Sequence, residues 1–267
     1  MSSFNMKPVI EVKDLVAEYG NTRVLHGVST TVEESEIKVI LGTSGCGKTT
    51  FLKNVLGLIP PAGGEVRIFN EPMGELDEKN TEGILRRIGM MYQYGALLGS
   101  LKVSDNIALP LRMHTALPES VIEEIVRIKL EQVALGGAYD LYPGELSGGM
   151  RKRAAIARAI VMDPPVLFCD EPSAGLDPVT SRGLDELLLQ MKDELGITIV
   201  VITHELESIR RIADSILFLD RGMAVYDGSL KEALEMKTGA VRDFFQNTSE
   251  EKNEPPPQKK PLFTFKD

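Results

Sequence analysis

Residues Gly42-Thr43-Ser44-Gly45-Cys46-Gly47-Lys48-Thr49 leave little freedom in what can surround them. They fill the pattern G-x-x-x-x-G-K-[ST] between an apolar run, Ile37 to Leu41, and a helix-compatible run, Thr50 to Leu58. A buried strand, a tight loop and a helix in that order aim successive backbone N–H groups at one point. Glycine permits the conformations and the close approach that such a nest needs. The positive end of the following helix then faces the anion. The pattern therefore predicts a cradle for a nucleotide's phosphate chain, with Lys48 reaching the β- and γ-phosphates and the Thr49 hydroxyl completing a Mg²⁺ shell.

The rest of the chain narrows the setting. Its 267 residues are 43% hydrophobic and 26% charged, enough for one large domain or one domain with an inserted lobe. A net charge of -9 argues against non-specific binding to nucleic acid or anionic headgroups, and Arg151-Lys152-Arg153 is too short a cluster to reverse that. Cys46 and Cys169 make neither a disulfide framework nor a metal site and read as reduced thiols. His26 and His114 read as structural or surface residues. Nothing resembles a secretory leader, and the apolar run Ile197 to Ile202 is far too short to span a bilayer, so any membrane role is expected to be peripheral.

Short alternating or β-branched runs in residues 8–36 predict antiparallel strands. Ile88 to Tyr92, Val166 to Cys169 and Ile197 to Ile202 read as buried parallel strands of an α/β sheet, joined by helical crossovers. Residues 104–160 read as helix after helix. Pro118 opens one in which Val121, Ile122, Ile125, Val126 and Val133 recur at helical spacing. A mainly helical lobe is thus expected at about 94–158, and Leu230 to Phe245 predicts one final helix. The tail, 249–267, is polar and proline-rich; it is either a flexible extension or docks Leu262-Phe263-Thr264-Phe265 on a partner subunit.

Asp170-Glu171 ends the run Val166 to Cys169, and a strand's carboxyl end delivers charge to the crevice where ligands sit in open α/β sheets. Asp170 would help hold Mg²⁺ and Glu171 would activate the attacking water as a general base. The alternative is an acidic helix start, which the upstream phosphate loop makes the weaker reading. His204 follows the next strand, within reach of a γ-phosphate or of Glu171. Ser147-Gly148-Gly149, before the basic, Ala-rich run Arg151 to Val161, describes a second anion-binding helix start. It becomes useful if two copies meet head to tail, each offering this tip to the nucleotide of the other.

Taken in order, these motifs resemble those of ATP-binding-cassette (ABC) ATPases, and the resemblance runs from about residue 9 to 245. It implies a P-loop NTPase fold, the ABC nucleotide-binding domain: a RecA-like sheet core, an antiparallel β subdomain and an inserted helical subdomain, with residues 1–248 as the ATPase domain. It implies ATP and Mg²⁺ as cofactors, with Gly42, Thr43, Ser44, Gly45, Cys46, Gly47, Lys48, Thr49 and Thr50 around the phosphates. Tyr19 matches the aromatic that stacks on adenine. Gln93 matches the glutamine that contacts Mg²⁺, beside Thr49 and Asp170, and relays signals to the helical lobe. Ser173-Ala174-Gly175-Leu176-Asp177 matches the loop that crosses the dimer interface, and His204 the switch histidine that joins Glu171 and Lys48 in catalysis. Met150 departs from the commonest signature glutamine, and Ser35 stands where a glycine is usual.

Within the family, Tyr92 to Leu98, Asn106 to Leu111 and His114 to Pro118 are similar to MlaF-type phospholipid-transport ATPases, whose signature is also Leu-Ser-Gly-Gly-Met. That similarity implies a homodimer bound at the cytoplasmic face of the inner membrane to an integral-membrane, MlaE-like permease. An MCE-domain lipid-binding protein would join through the complex, and no nucleic acid would take part. Other cargoes, a non-transport ABC ATPase acting on ribosomes or DNA, and a small-molecule kinase are the competing readings. The kinase leaves Ser147-Gly148-Gly149 idle.

Overall fold

The computed structural model describes residues 8–20, 22–73 and 78–250. The strands are β1 (Pro8–Tyr19), β2 (Thr22–Glu33), β3 (Ile37–Gly42), β4 (Gly63–Ile68), β5 (Glu71–Pro72), β6 (Ile88–Met91), β7 (Val166–Asp170), β8 (Thr198–Ile202), β9 (Ser215–Asp220) and β10 (Met223–Ser229). The helices are α1 (Lys48–Val55), α2 (Glu78–Leu85), α3 (Val103–His114), α4 (Glu119–Gln132), α5 (Gly148–Ala159), α6 (Pro178–Leu195), α7 (Leu206–Ile212), α8 (Leu230–Glu235) and α9 (Ala240–Glu250). All but the first two residues of the tail expected at 249–267, including Leu262 to Phe265, lie outside the described residues.

Two sheets result. An antiparallel one runs β2-β1-β4-β5, and a mixed one runs β10-β9-β3-β8-β7-β6. In the second, β3, β6, β7, β8 and β9 are parallel neighbours and only β10 runs against its partner β9. Strand periodicity divides the core. Ile37, Val39 and Leu41 of β3 join Leu167, Ile199, Val201 and Phe218 beneath α3 to α7, whereas Ile40 joins Phe168, Val200, Ile202 and Leu217 beneath α1 and the antiparallel sheet. A sheet covered on both faces needs apolar residues at every position, which is why these strands read as continuous runs. Lys38 is the exception inside β3: it is buried, and its ammonium is held by Asp227 at 2.6 Å.

Between β6 and β7 lie α3, α4 and α5. Val103, Ile107 and Leu111 of α3 meet Ile122, Val126 and Leu130 of α4, each set at a spacing of four, and Ala154, Ala155 and Ala157 let α5 approach closely. Pro118 stands at the N-cap of α4, as its sequence suggests; Val121, by contrast, is exposed.

Two expectations change. The single final helix expected from Leu230 to Phe245 is two helices, broken where Met236 turns extended and Gly239 takes φ +97°. Buried Leu230, Ala233, Val241 and Phe245 keep helical spacing across the break, so the apolar pattern alone reads straight through it. The sequence reading also omits β9. Its apolar run Ile216 to Leu219 is hydrogen-bonded directly to β3 and supports the phosphate loop from below.

Candidate functional site

Register brings the predicted residues together. Ile202 of β8 pairs with Ile40 of β3 on one side and Asp170 of β7 on the other, and Met91 of β6 pairs with Cys169. Four adjacent parallel strands therefore end level. Within two residues of that line the chain delivers Gly42, then His204, Glu171 and Gln93. This edge is the crevice at strand carboxyl ends where open α/β sheets take ligands.

The loop after β3 is braced from several sides. The Lys48 ammonium donates to the Gly42 carbonyl at 2.9 Å and the Thr43 carbonyl at 3.1 Å, with Cys46 Sγ 3.8 Å away. Gly222 N–H donates to the Cys46 carbonyl at 3.1 Å, and the Thr43 hydroxyl faces Asp220 at 3.4 Å. Gly42 and Gly47 have φ of +149° and +107°, and a Cβ on either would collide, with Leu219 O or Leu25 Cδ2 respectively. Thr43, Ser44, Gly45 and Thr49 are exposed at the loop's outer surface, while Cys46 and Thr50 are buried.

Glu171 is held at every group it has. Its N–H donates to the Ile202 carbonyl at 2.8 Å, its Oε2 accepts from the Thr203 hydroxyl at 3.1 Å, and its Oε1 lies 2.7 Å from His204 Nδ1. Its carbonyl accepts from the Lys152 ammonium at 3.0 Å. This over-determination sustains a left-handed backbone, φ +46°, that costs a residue with a Cβ on the order of 1 kcal/mol. Beside it, burial and the Glu171 charge push the Asp170 carboxyl above its ordinary range, against the pull of Lys152 and Lys48. Burial likewise pushes the Cys169 thiol up to about 12 and leaves it inert.

Among the described residues, no group of three or more His, Cys, Asp or Glu side chains could hold a metal unaided. The chain brings Thr49, Gln93, Asp170 and Glu171 to or beside this edge, so the oxygens on offer are a hydroxyl, an amide and two carboxylates. Such a partial, hard-oxygen set suits a small cation that arrives already bound to phosphates.

Other predicted residues lie apart from this edge. Ser147 caps α5, its hydroxyl accepting from Met150 N at 3.2 Å; Gly148 and Gly149 have Leu176 and Thr180 as their near neighbours. Asp177 caps α6, accepting from Val179 N and Thr180 N and from the Thr180 hydroxyl at 2.5 Å, which holds its carboxyl below the usual range. The signature tip and the Asp177 loop thus share one exposed region of the protomer. Tyr19 stands half-exposed at the end of β1.

Sequence reasoning missed Lys152, Thr203 and Asp220. Lys152 was read only as part of a basic cluster. Yet Gly149, Lys152 and Ile156 fall at i, i+3 and i+7 on the buried face of α5, a signal the spacing carried. Its neighbours are used the same way: Arg151 donates to Leu146 O, and Arg153 to Val133 O and Gly183 O.

The sequence model of the family described as "ABC transporter" matches residues 25–174. The chain is 40% identical over 256 residues to the "probable ribonucleotide transport ATP-binding protein mkl" of Mycobacterium leprae, covering 93% of this chain and 74% of that protein. It is 36% identical over 242 residues to the "intermembrane phospholipid transport system ATP-binding protein MlaF" of Haemophilus influenzae, covering 91% and 92%. A dimeric ATP-binding cassette, MJ0796, solved in a post-hydrolysis state with ADP and phosphate, superposes with a TM-score of 0.75 at 30% identity, covering 83% and 98%.

Proposed function

The chain belongs to the ABC transporter family as an ATP-hydrolysing subunit, and from that premise we propose that it energises phospholipid transport between bacterial membranes. One observation carries the cargo reading. Of the segments that resemble MlaF-type ATPases, Tyr92, Pro110 and His114 line a single groove of about 240 Å³, together with Ile88, Arg158 and Met162. The groove lies between the end of β6 and helix α3, next to Gln93. A helix of an MlaE-like permease seated there would feel any movement of the glutamine loop, and an MCE-domain lipid-binding protein would join on the far side of the membrane. Among the described residues no helix is long and apolar enough to cross a bilayer. The place proposed for the chain, beside its permease, is peripheral and on the cytoplasmic face.

The proposed engine is a homodimer of units spanning residues 1–248, each with its helical lobe at about 94–158. Each protomer offers Ser147, Gly148, Gly149 and Asp177 to the ATP on its partner's phosphate loop, and Tyr19 stacks on adenine. Lys48 rests on two carbonyls of its own loop, and the triphosphate would take their place. Glu171 then takes a proton from the attacking water. His204 and Thr203 hold that carboxylate by one oxygen each, which fixes its direction before the reaction begins. The partial oxygen set of Thr49, Gln93 and Asp170 fits Mg²⁺, which when bound neutralises phosphate charge.

The mycobacterial relative favours a second reading, the same engine with a ribonucleotide cargo. The test is to purify the chain with its membrane partners and identify co-purifying small molecules by mass spectrometry. ATP-dependent phospholipid transfer between vesicles should then follow. Bound phospholipid with ATP-dependent transfer is the expected result. Ribonucleotide uptake without lipid transfer would replace this reading with the second.

A further inference from the structure

Helix α5 grips the Gln93 loop at two points. At one end the Lys152 ammonium donates to the Gln93 carbonyl, and six residues on the Arg158 guanidinium donates to the carbonyls of Gly95 at 2.9 Å and Ala96 at 2.7 Å. Gly95 meets the helix closely, with no room between its Cα and Ala155 for more than a methyl group. Only Lys152 reaches beyond the loop, donating also to the Glu171 carbonyl at 3.0 Å.

We propose that Lys152 is a positioning residue for ATP hydrolysis, a buried ammonium that ties the signature helix to the backbones of both Gln93 and Glu171. The inference rests on the reading of Glu171 as the water-activating carboxylate. Lys152 is 7% exposed, and both the partners its ammonium is given are main-chain carbonyls. A buried charge is costly unless it is hydrogen-bonded, so its retention here needs the two carbonyls as much as they need it. Lys152 touches no reacting group. It acts by pinning the peptide of a residue whose left-handed backbone would otherwise relax, turning the carboxylate away from Thr203 and His204. Because it makes no contact with the phosphate loop, its removal should slow hydrolysis and leave ATP binding intact.

The test uses the full-length chain with Mg-ATP, comparing Lys152→Met, Lys152→Arg and Glu171→Gln. Lys152→Met should lower kcat by about tenfold or more, since small misplacements of a reacting group cost rate steeply. Its KM for ATP should stay within about twofold, the mark of an interaction that matters in the transition state. Lys152→Arg, which keeps charged donors, should recover at least about a third of the wild-type kcat. Should Lys152→Met yield no folded protein, Lys152→Gln, too short to span both carbonyls, carries the same expectation. Wild-type kcat in the Met or Gln variant, equal losses in Met and Arg, or a change confined to KM would each overturn the proposal. Turnover by Glu171→Gln at the wild-type rate would instead remove the glutamate reading on which it rests.

Discussion

Gly42→Ala is the sharpest available test of how the phosphate loop is built. Gly42 closes β3 opposite Leu219 of β9, and a Cβ there would stand 2.0 Å from the Leu219 carbonyl oxygen and 2.8 Å from Cys46 Sγ. Carbon and oxygen ordinarily approach to about 3.3 Å, so backbone must move by about 1.3 Å. Both strands are buried, so the movement meets close-packed core. A φ of +149° adds about 1–2 kcal/mol of strain for alanine. Overpacking adds about 1–3 kcal/mol and a broken ladder hydrogen bond about 1 kcal/mol. The sum is about 4 kcal/mol, a large part of a domain's stability. At about 2–4 °C per kcal/mol for a chain of this size, the melting midpoint should fall by about 10 °C. Gly47→Ala is the control. Its φ of +107° brings similar strain, but the collision is with Leu25 Cδ2 at 2.7 Å, the tip of a buried side chain rather than a main-chain atom held in a strand. Its midpoint should fall by about half as much. Thermal unfolding followed by circular dichroism, without nucleotide, reads both. Equal midpoints for the two variants would refute the argument that a fixed carbonyl, rather than backbone strain, dictates glycine at position 42.

Three further outcomes are expected. Glu171→Gln should lose about 10²-fold or more in turnover and accumulate an ATP-bound dimer on size exclusion; undiminished turnover would strip Glu171 of its role. Ser147→Ala should cost α5 about 1 kcal/mol of capping, yet under the proposed dimer, in which the serine serves the neighbouring copy, its hydrolysis should fall much further while nucleotide binding at low protein concentration holds; parallel loss of both would contradict that arrangement. Asp185 is buried against Ser208 and Arg211, and burial outweighs them to raise its pKa. A raised folded-state pKa stabilises the protein most below the unfolded value of about 4, and that stabilisation is lost as pH rises through the folded value. Asp185→Asn should therefore lose less stability than wild type between about pH 4 and pH 7 in paired melts, and an unchanged difference would argue against the assignment.

How much of this was legible in sequence depended on whether a signal was local. The strand Ile37 to Leu41, the loop after it and Asp170-Glu171 carry their chemistry in contiguous residues, and the fold puts them at one edge. The chain between Leu230 and Phe245 shows the opposite: apolar spacing persists through a break that begins at extended Met236 and ends at left-handed Gly239. The spacing of Gly149, Lys152 and Ile156 can place Lys152 on the buried face of α5 but cannot name its partners, carbonyls 59 and 19 residues away, because carbonyls leave no mark in sequence. Strand β9 is missing from the sequence reading although Ile216 to Leu219 is an apolar run between Ser215 and Asp220. Its partner in the sheet, β3, lies 177 residues earlier, from Lys38 to Ser215.

The inward-turned cations have an outcome at the scale of the whole particle. Among the described residues Lys38, Lys129 and Lys152 are sequestered against one buried carboxylate, Asp185, so the outer face is more negative than the formal charge of -9 conveys. Cytoplasmic leaflets are themselves anionic, and permeases concentrate Lys and Arg in their cytoplasmic loops. Under the proposed function such a body would be repelled by lipid and drawn to its permease, and salt would loosen that contact before it disturbs the fold.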